Sequence, residues 1–183
     1  MTTEAGAPPT PEQIADRLAI IDVLTLHCRG LDRLDPTVLR QCYWPEAEVD
    51  YGSYVGSARD FADLVTTALG ESYELTRHVI SNTLIDLQLP RAHSETYVNA
   101  DHLLAGAAQE MCFGGRYLDL LEQRDGQWRI LHRRVVMDWA RKREMADLRG
   151  SEAFAAMAKG GHGTADPLYK LLAQGRPPGG RQS

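Results

Sequence analysis

At 183 residues, 43% hydrophobic and 25% charged, the chain has the length and balance of one globular domain with a sizeable core. Its formal net charge of −5, with basic residues scattered apart from short clusters such as Arg141-Lys142-Arg143, argues against a phosphate-tracking surface and so against a nucleic-acid partner. The apolar runs are too short to span a bilayer, and the acidic, Pro-rich start MTTEAGAPPTPEQ has no signal-peptide pattern, which excludes a membrane partner.

Cys28, Cys42 and Cys112 are odd in number and widely spaced, without a CxxC pair, and read as reduced core residues of a cytoplasmic protein. There is no HExxH and no cluster of metal-ligating residues, so neither a metal nor a cofactor is expected.

Residues 1–10 read as a disordered N-terminus because Gly6, Pro8 and Pro9 resist a packed element. Thr10-Pro11 is a helix start, an N-cap followed by Pro at the first helical position, and the helix runs to about Gly30. Ile14, Leu18, Ile21, Thr25 and Cys28 recur at steps of three and four, which predicts one buried face. The next step on that face is Asp32. A buried carboxylate must be paired, hydrogen-bonded or protonated. Two readings follow: Asp32 is half of an acid/base dyad, or it sits on a frayed last turn facing water, as Gly30 would allow.

Asp35-Pro36 repeats the start signal for a short helix, PTVLRQCYW, ended by Pro45. Asp35 is there the N-cap and a poor catalytic candidate. Residues 47–51 alternate as a first strand leading to a turn at 52–56. Ser57 to about Leu69 reads as a third helix, with Phe61, Leu64, Val65 and Ala68 at helical spacing. Residues 76–85 then change period to two, as a strand covered on both faces. Pro90-Arg91 makes a turn. Strands follow over about 92–104, over 113–123 closed by the hairpin signal Asp125-Gly126, and over about 128–139.

Helices followed by a meander of long strands predict an α+β fold, with a curved antiparallel sheet wrapped around the helical layer. The domain spans residues 11–140. Residues 141–183 form a C-terminal extension, with one or two helical turns in 144–158 and a disordered end, GRPPGGRQS.

Three stretches in order, LDRLDPTVLRQCYWPEAEV, TRHVISNTLIDL and GGRYLDLLEQRDGQWRI, make residues 11–140 resemble the SnoaL-like branch of the nuclear transport factor 2-like superfamily. That superfamily includes ketosteroid isomerases, scytalone dehydratase, bile-acid 7α-dehydratase and hexachlorocyclohexane dehydrochlorinase. The resemblance implies a cone-shaped α+β barrel with a deep apolar pocket. In the dehydratase and dehydrochlorinase relatives, an Asp at the end of the first helix pairs with a His on the following long strand. The matching residues are Asp32 and His78. His27 falls where those relatives carry a catalytic Tyr or Lys, which is a departure. Tyr51 and Tyr54 match pocket tyrosines, Tyr117 a pocket aromatic, and Arg133 a cavity-facing basic residue.

A neutral histidine is a suitable base near neutral pH, and a carboxylate on one ring nitrogen fixes its tautomer and stabilises the imidazolium. Tyr51, Tyr54, His27 or Arg133 would then stabilise an enolate-like oxygen or a departing hydroxyl. The implied activity is a cofactor-independent dehydratase acting on a small hydrophobic substrate, a polycyclic or aromatic hydroxy-ketone such as a steroid or polyketide. An isomerase or cyclase on the same scaffold, or a non-catalytic small subunit of a larger enzyme, is the alternative. A homodimer or homotrimer is expected, because a bent sheet leaves its convex face exposed. His93, His102, His132 and His162 show no partner pattern and read as surface or core residues.

Overall fold

Thr10 opens the first helix, α1 (Pro11–Asp32), through a capping box: its hydroxyl accepts the Gln13 amide at 3.3 Å, while the Gln13 side chain accepts the Thr10 amide at 3.0 Å. These contacts belong to a computed structural model that describes residues 6, 8–106 and 108–174. Most of the predicted disordered N-terminus and the whole GRPPGGRQS end lie outside the described residues.

The buried stripe of α1 is not the predicted one. Ile20, Leu24, His27, Cys28 and Leu31 face inward, whereas Ile14, Leu18, Ile21 and Thr25 are exposed. Both stripes are apolar, so periodicity alone could not choose between them. Asp32 still lies one turn beyond Cys28, on the edge of the true inner face. Gly30 is a packing device rather than a fraying point: a Cβ there would stand 2.7 Å from the Leu39 side chain.

Asp35 caps α2 (Pro36–Gln41), with one oxygen accepting the amides of Thr37 at 3.1 Å and Val38 at 3.0 Å. This helix stops earlier than predicted, and Pro45 falls inside strand β1 (Tyr43–Asp50). Pro45 is tolerated because pairing to the neighbouring strand is irregular between Tyr43 and Glu48, where a missing N–H breaks no regular ladder. The short β2 (Val55–Ser57) leads into α3 (Ala58–Ser72), capped by Ser57 and anchored by Ala58, Phe61 and Ala62.

The chain then meanders through β3 (Tyr73–Gln88), β4 (Arg91–Leu104), β5 (Gln109–Arg124) and β6 (Gln127–Glu144). The six-stranded sheet has the order β2-β1-β6-β5-β4-β3, antiparallel except for the parallel β1–β6 pair. Asp125 and Gly126, at φ of 50° and 76°, make the tight β5–β6 turn. Gly114 and Gly115 mark a register shift against β6. Added side chains there would strike Trp139 at 2.3 Å and the Val136 carbonyl at 2.2 Å. The resulting curled sheet and its helices enclose a core of Ile20, Leu24, Val49, Phe61, Ile85, Leu121 and Ile130. The architecture is α+β, as predicted.

β6 extends five residues past the predicted end. Beyond it the predicted helical turns reduce to one 3₁₀ turn, Glu152–Phe154, followed by a second, Gly163–Ala165, and an unpredicted helix α4 (Pro167–Gln174). No helix among the described residues is long and apolar enough to cross a membrane.

Candidate active site

The last turn of α1 lies against the first half of β3, and this contact brings Asp32 to His78. Oδ1 of Asp32 is 2.7 Å from Nδ1 of His78. Both carboxylate oxygens also accept the His78 backbone N–H at 3.0 Å, and Thr76 donates its hydroxyl at 3.2 Å. The carboxylate thus holds the backbone and the ring of one residue together. An ionised carboxylate only accepts, so Nδ1 carries the ring proton and Nε2 of a neutral His78 presents a lone pair. Both side chains are mostly shielded from solvent.

Asp32 lines a cleft of about 440 Å³ with Thr76, Leu75, Leu103 and Met145. The rim carries Arg33, Arg77, Asp101, Glu110, Arg143, Asp147 and Arg149. The cleft beside Asp32 carries charged residues at its edges, where the resemblance implies an apolar pocket. Its arginines are neutralised, with Arg77 on Asp101, Arg143 on Glu110, and Arg149 on Glu74 and Asp147.

His102, read from sequence as a surface or core residue, also lines this cleft. Its ring stands edge-on to His78 at 5.5 Å and tilts over Tyr73 at 4.5 Å. Its Nδ1 is buried without a hydrogen-bond partner. Burial first, and then the neighbouring His78, lower its pKa to about 4, which keeps it neutral. The β3–β4 register pairs His102 with Thr76, the residue that bonds Asp32. No local sequence pattern signals this placement.

The five residues assigned to substrate binding do not line this cleft. His27 and Arg133 are fully buried behind the pair. Arg133 forks onto Asp119, Nε to Oδ1 at 2.7 Å and Nη2 to Oδ2 at 2.8 Å, and both side chains have no solvent exposure. Burial opposes the guanidinium charge, but Asp119 and the other neighbours outweigh it and hold the pKa of Arg133 well above its ordinary value. Arg133 also stacks over Tyr117 at 4.0 Å and donates Nη1–H to Nδ1 of His27 at 2.9 Å. Because arginine only donates, His27 carries its proton on Nε2 and gives it to Tyr43 at 2.8 Å.

Burial, then Arg133 and His78, push the His27 pKa well below the usual imidazole range. With both nitrogens engaged, this histidine is placed to hold Arg133 and Tyr43, not to meet substrate. Tyr51 stacks on Phe61 at 4.1 Å, and Tyr54 donates to the Ser57 carbonyl at 2.9 Å, so both brace the β1–β2 turn. The Tyr51 hydroxyl is buried without a hydrogen bond of good geometry, as are those of Ser94 and Thr96 on the neighbouring inner face. Asp119 was missed in the sequence. Its signal was a carboxylate within the apolar run Leu118, Leu120, Leu121.

No group of three or more His, Cys, Asp or Glu among the described residues is placed to hold a metal ion. Cys28, Cys42 and Cys112 are free and buried.

With this geometry in view, the profile of the SnoaL-like domain matches residues 12–134. No curated protein matches the sequence at a significant level. A candidate scytalone dehydratase from Novosphingobium aromaticivorans superposes with a TM-score of 0.65 at 22% identity, over 73% of this chain and 91% of that one. A hexachlorocyclohexane dehydrochlorinase from Novosphingobium barchaimii gives 0.65 at 21% identity, over 74% and 93%. These likenesses show a common fold, the nuclear transport factor 2-like cone. The chain belongs to the SnoaL-like domain family.

Proposed function

We propose that the protein is a cofactor-independent lyase, a dehydratase, in which His78 is the base and Asp32 orients it. The observation that carries this reading is the hold of Asp32, a cleft-lining carboxylate, on both the backbone N–H and Nδ1 of His78, which leaves Nε2 as the ring nitrogen not engaged by Asp32. Nε2 removes a proton from the carbon next to a carbonyl, and the electron pair of that C–H bond forms an enolate. The enolate collapses to an alkene as the bond to the β-hydroxyl breaks. The departing hydroxide takes the proton from the imidazolium, so water leaves and His78 returns to its starting state. Asp32 stabilises the imidazolium between the two steps. His102, neutral at the cleft wall, offers a ring N–H to an oxygen of the substrate.

The cleft volume lies within the usual range for small-molecule sites. A polycyclic or aromatic hydroxy-ketone, such as a steroid or polyketide intermediate, provides the acidified C–H and the leaving hydroxyl that this chemistry requires. The pair argues against a purely structural subunit, since a shielded carboxylate–histidine pair is a weak source of stability.

The test is a panel of fused-ring and aromatic β-hydroxy-ketones, followed by the absorbance of the conjugated enone and by mass loss of one water. Turnover with water loss in the wild type, abolished in His78→Ala, supports the dehydratase. A product of unchanged mass identifies an isomerase or cyclase. No change in any compound overturns the enzymatic reading.

A further inference from the structure

The family profile ends at residue 134, yet the chain continues and returns to the site. After β6, Met145, Asp147, Arg149 and Gly160 line the same cleft as Thr76 and His102. This returning segment is fastened at residues adjoining Asp32. The Gly163 amide donates to the Arg33 carbonyl at 2.7 Å, and the Arg33 guanidinium meets Asp166 at 3.1 Å. Asp166 itself is nearly buried and also accepts the amides of Gly161 at 3.0 Å and Leu168 at 2.9 Å, so one carboxylate ties the strap to itself and to α1. Two residues further on, the free oxygen of Asp35 accepts the Tyr169 hydroxyl at 2.8 Å.

From residue 150 up to these fasteners the strap is loosely built. It contains two 3₁₀ turns of three residues each, and Phe154 and Met157 are exposed. It is also tied near its start, where the Met145 amide donates to the Ala108 carbonyl at 3.0 Å and Arg149 pairs with Glu74, so its attachment is polar at both ends. Segments of this kind open locally at low free energy. His162, immediately before Gly163, has a buried Nε2 without a partner, in the electrostatic reach of Arg33 and Asp32.

We propose that residues 145–169 are a latched strap that forms the outer wall of the cleft, and that release of the Arg33–Asp166 and Asp35–Tyr169 fasteners governs access to His78. The proposal rests on the reading of Asp32 and His78 as the reactive pair. The latch residues follow Asp32 directly in sequence, so closing the strap and placing the carboxylate are coupled through one short piece of backbone. A substrate must enter with the strap open and be enclosed by it, which makes the strap the element that selects substrates by size.

The experiment is carbethoxylation of the full-length chain by diethyl pyrocarbonate, read residue by residue by mass spectrometry. It compares wild type with Asp166→Ala and Tyr169→Phe. His102, on the cleft wall, and His78, bound to Asp32 and edge-on to His102, report the cleft. Exposed His93 on β4 reports reagent activity, and fully buried His27 reports global unfolding. The strap predicts at least a threefold faster modification of His78 and His102 in both variants, with His93 unchanged and His27 silent.

Unchanged rates at His78 and His102 overturn the proposal. If His27 becomes reactive in Asp166→Ala, Tyr169→Phe decides by the same criteria, since it removes a single hydroxyl. Labelling reads access and not turnover. A chain inert towards every hydroxy-ketone can still show the latch, and an active chain without a latch shows no change.

Discussion

Asp32 binds His78 twice, once through the backbone N–H and once through Nδ1, and the two contacts place one carboxylate across a single residue of β3. A carboxylate bonded to the ring alone leaves the imidazole free to swing about its χ angles. Here the backbone contact fixes the distance between α1 and β3, so the ring contact has little slack. The position of the base is thereby set by the packing of α1 on β3.

Asp35, three residues on, has a structural task. Replacing Asp35 with Ala removes two amide contacts at the start of α2 and the Tyr169 fastener. Loss of the cap alone should lower unfolding free energy by about 0.5–2 kcal/mol, read by urea denaturation. Asp35→Ser, which retains a capping oxygen, should recover most of that loss. Turnover per folded molecule at saturating substrate should match that of Tyr169→Phe, which loses the same fastener, and a severe fall beyond it with unchanged stability would identify Asp35 as the reactive carboxylate.

The Arg133–Asp119 pair has no solvent exposure, so removing one partner strands a charge. Asp119→Ala should destabilise by about 3–5 kcal/mol in chemical denaturation. The joint change Asp119→Leu with Arg133→Met should cost less than the single one, because no unpaired charge remains. A mild effect of Asp119→Ala would show that the pair is solvated in solution.

Stability should depend on acid through two histidines. Burial, then charged neighbours, lower the pKa of His27, and burial, then His78, bring His102 to about 4. Both are neutral when folded and bind a proton more readily when unfolded, at a pKa of about 6.5. Their contribution is complete above pH 6.5 and is lost as pH falls below it, for His102 through the window down to about 4. For His102 this is on the order of 3 kcal/mol. His102→Gln should flatten the thermal-stability profile between these limits, and an unchanged slope would place the acid sensitivity elsewhere.

The helix starts, the α+β order and the Asp125-Gly126 hairpin were legible because their causes are local: a cap, a Pro at N1, a turn that needs positive φ. The face of α1 was not, since Ile14, Leu18 and Ile21 compete with Ile20, Leu24 and Leu31 on equal terms and only packing decides. The pairing of Asp32 with His78 was reached through resemblance as well as pattern. His102 and Asp119 required the strand register, and α4 with its strap is held by Arg33 and Asp35, residues more than a hundred positions away.

The stripe that failed as a core has its own implication. Ile14, Leu18 and Ile21 on α1, and Leu84 and Tyr97 on the sheet, are exposed large side chains. Such surfaces favour self-association. Sedimentation equilibrium at micromolar concentration should report a dimer or trimer, and Leu84→Glu or Leu18→Glu should shift it towards the monomer. A wild-type monomer would leave these faces without a partner of this kind.

The central claim is that Nε2 of His78 is the base and that Asp32 sets its tautomer. It is tested most directly by exchange of the activated C–H of a hydroxy-ketone substrate with deuterated water, in wild type, His78→Ala and Asp32→Asn. Wild type should exchange and form product, His78→Ala should do neither above background, and Asp32→Asn should fall by about two to four orders of magnitude with the fold intact. Exchange at wild-type rate in His78→Ala would contradict the account and place the base on another residue.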